Sequence, residues 1–124
     1  MDNRIEKIIK IIRKEKKILA LALFGSSLKG KGRDIDLCVF LNKKYDNLEM
    51  SKIKLSILKE TGNSLDIQIF QQLPMYIRTR IFKEGKILYC KDEDLLYEIA
   101  FQTIKDFGFY KKIYDLYLEE VQNG

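Results

Sequence analysis

The sequence predicts an α/β (α+β) fold, a small β-sheet covered by helices. Three observations carry this. Apolar residues recur at helical spacing near the N-terminus. Two short apolar runs, at 18–24 and 35–41, are separated by a glycine-rich basic loop. Helical and strand-like patterns then alternate to residue 90, with no internal repeat and no linker.

Each element has its own justification. Ile5, Ile8, Ile9 and Ile12 fall at i, i+3, i+4 and i+7, with Arg4, Lys7, Lys10 and Lys14 around them, which predicts an amphipathic helix over 3–16. Residues 18–24 form an unbroken apolar run ended by Gly25, a strand buried on both faces. Residues 26–29 are expected to make a short helical turn, and 29–33 a loop. Over 35–41, Ile35, Leu37, Val39 and Leu41 share one face of a second strand, and Asp34, Asp36, Cys38 and Phe40 share the other. Residues 42–47 are a polar turn. Residues 48–60 read as a helix with Met50, Ile53, Ile57 and Leu58 inward, stopped near Gly62. A third strand over 65–70 carries Leu65, Ile67 and Ile69 on one side, and Asp66, Gln68 and Phe70 on the other. Pro74 introduces a short helix over 75–83 that Gly85 ends, and 87–89 add a short strand. Residues 92–120 are helical, with Asp92, Glu93 and Asp94 at the favourable end of the dipole. Gly108 leaves one kinked helix or two as alternatives.

Composition bounds the function. A chain of 124 residues is expected to be one domain, 1–124, with a core of about 18–90 and a helical segment of about 92–120. Its net charge of +5 suits an anionic ligand but is scattered, so nucleic acid is the weaker substrate class. With no histidine and only Cys38 and Cys90, a zinc site or an imidazole base is not expected. Reduced cysteines and the absence of a membrane-length apolar run point to the cytoplasm.

The chemistry concentrates between residues 24 and 37. Asp34 and Asp36, two apart on a strand, project to the same side. Two such carboxylates repel unless a cation lies between them, and Mg²⁺ takes hard oxygen ligands of this kind together with phosphate oxygens. The alternative is a pair of strand-edge aspartates facing water. Gly25 permits a tight turn whose N–H groups can form an anion nest, and Ser26 adds a hydroxyl donor. Lys29, Lys31 and Arg33 supply nearby cations, and no P-loop pattern is present. If the second and third strands pair, Asp66 joins Asp34 and Asp36. Three carboxylates are what a two-metal phosphoryl-transfer centre needs, and Asp66 can serve as base toward an incoming hydroxyl.

The combination of Gly25-Ser26, Asp34-Ile35-Asp36 and Asp66 resembles the DNA polymerase β-like nucleotidyltransferase superfamily, and in particular its minimal nucleotidyltransferase (MNT) branch. The resemblance implies a palm-like core with a mixed sheet. It implies that Gly25 and Ser26 hold the β- and γ-phosphates of ATP. It further implies that Asp34 and Asp36 bind two Mg²⁺ ions, and that Asp66 completes the site. Members of that branch are often antitoxins beside a HEPN ribonuclease toxin, and transfer AMP to a toxin tyrosine. The expected function is therefore Mg²⁺-dependent AMP transfer to a hydroxyl of such a partner, within a homodimer or a hetero-oligomer with the toxin. The alternatives are an antitoxin that acts by binding alone, and a small-molecule nucleotidyltransferase of the aminoglycoside type.

Outside this constellation, Arg78 and Arg80 are expected to be surface-helix cations. Tyr97, Phe101, Phe107, Phe109, Tyr110, Tyr114 and Tyr117 make the C-terminal region aromatic. Core packing is the default expectation for them, and a partner surface the sharper alternative.

Overall fold

The computed structural model describes residues 3–25, 35–62 and 65–123. Its elements are α1 (Asn3–Lys14), β1 (Ile18–Phe24), β2 (Ile35–Leu41), α2 (Asn47–Thr61), β3 (Leu65–Ile69), a 3₁₀ turn (Phe70–Gln72), α3 (Met75–Glu84), β4 (Lys86–Cys90) and α4 (Glu93–Asn123). The strands form a mixed sheet in the order β3-β2-β1-β4. β1 pairs antiparallel with β2 and with β4, whereas β2 and β3 run parallel, joined through α2. A parallel pair needs such a crossover, because a tight turn cannot return the chain in the same direction.

The sheet divides the core in two. On one face, Ile5, Ile8 and Ile12 of α1 and Met50, Ile53 and Ile57 of α2 pack on Leu21, Leu37, Val39, Leu41, Ile67 and Ile69. On the other, Ala20, Ala22, Cys38 and Phe40 meet Ile81 of α3, with Leu95, Leu96 and Ile99 of α4 packed against them. Phe40 stacks on Phe70 at a centroid distance of 4.6 Å, and Phe82 closes edge-on to Phe70 at 5.2 Å. The strict alternation in β2 produces this split, with even residues toward α3 and odd residues toward α1 and α2.

Local chemistry sets the ends. Asp46 caps α2 by accepting from the Glu49 N–H at 2.7 Å. Gly62 ends α2 in the left-handed region, φ +78°, donating its N–H to the Leu58 carbonyl. The expected third strand stops one residue early, at Ile69. There Gln71 replaces the next rung: its amide donates to the Leu41 carbonyl at 2.9 Å and accepts from the Leu41 N–H at 3.1 Å.

The C-terminal region corrects one expectation and decides another. α4 is a single helix through Gly108. Its aromatic rings do not pack in the core: Tyr97, Phe101, Phe109 and Tyr117 are 60–70% exposed, and only Phe107 among the described rings is half-buried. The side chains of Tyr110 and Tyr114 lie outside the described ones. Tyr97 and Phe101 lie on the helix face away from Leu96 and Ile99, which pack against the core, and for Phe109 and Tyr117 the reason is length. A helix of 31 residues runs about 46 Å, while strands of seven residues or fewer span at most about 23 Å. The last turns of α4 therefore outrun the surface on which they could pack. Among the described residues no helix is long and apolar enough to cross a membrane.

Candidate active site

Three predicted site residues are described: Gly25, Asp36 and Asp66. Ser26, Lys29, Arg33 and Asp34 lie outside the described residues, as do the expected helical turn at 26–29 and the basic loop. Gly25 follows β1 directly, Asp36 is the second residue of β2, and Asp66 is the second residue of β3.

Pairing brings these positions to one end of the sheet. Phe24 faces Asp36 across the β1–β2 ladder. Asp36 faces Asp66 across the parallel β2–β3 ladder. Residues in register on neighbouring strands point to the same face, so both carboxylates project on the α3 side, in line with Cys38 and Phe40. Strands lie about 4.8 Å apart, a separation that one cation can bridge. Asp36 is half-buried and Asp66 exposed, so the pair opens to solvent at the sheet's end.

Gly25 adopts φ +73°, a conformation glycine takes without steric cost. It also leaves room for its neighbour, because a β-carbon there would stand 2.6 Å from Asp36 Oδ2. The glycine thus turns the chain and makes space for the carboxylate. Gln68, which shares the Asp66 face, donates from Nε2 to Asp66 Oδ1 at 3.1 Å. The i, i+2 parity of β3 sets Gln68 beside Asp66, and the bond between them follows from the side-chain geometry.

The donor set suits Mg²⁺, with two hard carboxylates of separate strands opening to solvent beside Gly25. Among the described residues there is no group of three histidine, cysteine, aspartate or glutamate side chains able to hold a metal. Asp36 and Asp66 make two, and Asp34 lies outside the description.

The two arginines of α3 differ. Arg78 is built into the fold: Nε donates to the Leu73 carbonyl and Nη2 to the Gln71 carbonyl, each at 2.8 Å, with the guanidinium over Phe70. Arg80 is exposed and, among the described residues, bonds only to Glu84 one turn on. It lines a pocket of about 200 Å³ together with Phe24, Gly25, Ile77, Ile81 and Glu84.

Comparison with known proteins follows the same lines. The family model described as polymerase beta, nucleotidyltransferase matches residues 6–94. A Methanocaldococcus jannaschii protein, named provisionally as a protein adenylyltransferase, is 34% identical over 82 residues, which is 64% of this chain. The chain covers 62% of that relative's length. A chain of a toxin–antitoxin crystal structure with AMP-PNP superposes with a TM-score of 0.71 at 22% identity, covering 98% of this chain and 99% of that one. A chain from the complex of the tri-AMPylated Shewanella oneidensis HEPN toxin with its MNT antitoxin superposes at 0.68 and 21% identity, covering 96% of each. At these identities the structural likeness speaks for the fold.

Proposed function

Because this chain belongs to the polymerase beta nucleotidyltransferase family, we propose that it transfers AMP from ATP to a hydroxyl acceptor, in a Mg²⁺-dependent reaction, and that the acceptor is a tyrosine of a HEPN-type toxin. The observation that carries the reading is the register of Asp36 and Asp66, one opposite the other on parallel strands beside the Gly25 turn. The reading takes residues 1–124 as one nucleotidyltransferase domain acting in the cytoplasm, with ATP as donor and both thiols free.

In this reaction the acceptor oxygen forms a bond to the α-phosphorus. The bond from that phosphorus to the α–β bridging oxygen breaks, and pyrophosphate leaves with the electron pair. Bound Mg²⁺ would neutralise the triphosphate and favour that departure. Asp34 and Asp36 would hold it, with Asp66 completing the set. Asp66 would also accept the hydroxyl proton, with Gln68 orienting its carboxylate. Backbone N–H groups at Gly25, with Ser26, Lys29 and Arg33 of the adjoining loop, would cradle the β- and γ-phosphates.

Two features support the partner assignment. Similar solved structures include toxin–antitoxin complexes, and the C-terminal half of α4 exposes Phe109, Leu116, Tyr117 and Val121, a surface suited to burial against a protein. The same exposed face also favours the second reading, neutralisation by binding alone. One experiment separates them. Labelled ATP, Mg²⁺ and a HEPN-type toxin partner should yield labelled toxin with the native chain and none with Asp36→Asn. Equal labelling by both proteins would sink the enzymatic reading. Full protection from toxicity by Asp36→Asn without labelling would favour binding alone.

A further inference from the structure

α3 carries two arginines two residues apart, and among the described residues only Arg78 is tied to the backbone of the fold. Arg78 has two backbone carbonyl partners and an aromatic ring beneath it. Among the described residues Arg80 has a single partner, Glu84 Oε2 at 3.3 Å, with side chains 67% and 60% exposed. That bridge is weak on three grounds. It is solvated, it uses one bond of a guanidinium built for two, and its i, i+4 order places the cation before the acid, the poorer orientation along a helix.

Arg80 is also well placed. The pocket it lines is bounded by Phe24 and Gly25, the last residue of β1 and the turn beside Asp36. At about 200 Å³ it is smaller than the roughly 300–1,000 Å³ of sites that enclose a whole small ligand, so it suits part of one. Ile77 and Ile81 make one wall apolar, and the exposed guanidinium at its rim can turn toward an anion seated there. Phosphate oxygens offer that guanidinium two parallel acceptors, which the single bond to Glu84 does not.

We propose that Arg80 is a polyphosphate-binding residue held in reserve by Glu84. When a nucleoside triphosphate occupies the Gly25 end of the sheet, the guanidinium leaves Glu84 and takes up its phosphate oxygens. Glu84 competes with the ligand for the same cation. The inference rests on the nucleotidyltransferase reading and adds to it a residue from α3, beyond the loop and strand aspartates.

The competition gives the test opposite signs at neighbouring positions. Equilibrium binding of ATP with Mg²⁺, and separately of pyrophosphate, is measured on the full chain by calorimetry. Arg80→Ala should weaken both ligands about tenfold or more, from the loss of a charge-assisted pair, and Arg80→Lys should restore part of the loss. Glu84→Gln should tighten both about two- to threefold by freeing the arginine. Melting temperatures should stay unchanged, because both side chains are exposed. Unchanged affinity in Arg80→Ala, or unchanged or weaker affinity in Glu84→Gln, overturns the proposal while leaving the nucleotidyltransferase reading intact. Native protein that binds neither ligand overturns both.

Discussion

Gly25 and Asp36 are fitted to each other: a β-carbon on the glycine would lie 2.6 Å from Asp36 Oδ2 and 3.3 Å from its Cγ. The obstacle is the body of a half-buried carboxylate at the base of β2, not the free end of a long side chain. Any side chain at position 25 must therefore displace the acid or the turn.

Gly25→Ala is expected to cost about 1–2 kcal/mol through its left-handed backbone alone, before the clash is relieved. Its larger effect falls on activity. Displacing the carboxylate by about 1 Å should lower AMP transfer about a hundredfold. Thermal denaturation and a labelled-ATP assay on one preparation separate the two effects. A variant with native activity would show that Asp36 does not act from this position.

Asp66→Asn keeps shape and loses charge at an exposed position, so stability should hold within about 0.5 kcal/mol. Transfer should fall by about 10²–10⁴-fold if this carboxylate accepts the proton. Gln68→Ala, which removes only the orienting bond to Asp66, should cost about fivefold. The ratio of the two losses, read at saturating ATP, distinguishes the acid from its support.

Arg78→Ala should behave in the opposite way to Arg80→Ala. It strands the Leu73 and Gln71 carbonyls and should destabilise the chain by about 2 kcal/mol or more in urea titration. Arg78→Lys should recover little, since an ammonium cannot span both carbonyls as the planar fork does. ATP affinity of the folded fraction should be native.

Cys38 lies fully buried beneath the sheet's α3 face, and burial pushes its thiol well above the ordinary value of 9.0. Unfolding exposes the thiol, so above pH 9 the unfolded chain loses a proton that the native chain keeps. Stability from this group is therefore intact below pH 9 and falls above it, by about 1.4 kcal/mol per pH unit. Cys38→Ala should start less stable and show a shallower alkaline decline. In the native protein near pH 8, a thiol reagent should label half-buried Cys90 and spare Cys38.

Phe109→Ser and Leu116→Ser replace side chains that are 69% and 56% exposed. Melting should shift little, while affinity for a HEPN-type partner should fall at least tenfold, as for a truncated interface anchor. Retained affinity in the double variant would place the partner surface elsewhere.

The sequence was most readable where one physical demand dominated. β1 and β2 were delimited to the residue, because the apolar run and the alternation both stop where the chain leaves the sheet. Alternation also put Asp36 and Asp66 on matching faces, but their register needed the pairing itself, which periodicity does not encode. β3 ended early because a side-chain amide, Gln71, took over a backbone role. Gly108 was undecidable, since one exposed glycine costs a helix only about 1 kcal/mol and its neighbours can offset that. The rings of α4 misled for a related reason. Helical spacing tells which residues share a side, and nothing about whether another surface reaches them.

The parallel run of β2 beside β3 has a consequence for how the chain matures. Asp36 sits in a hairpin that is complete once β1 and β2 have been made, but its counterpart Asp66 arrives only after α2 has been synthesised and laid across the sheet. Non-local pairing of this kind forms later than a local hairpin. A chain that stops within α2 would carry Asp36 but lack the strand that brings Asp66 opposite it. The Asp36–Asp66 pair therefore exists only once the α2 crossover has closed, so the proposed activity depends on that non-local step.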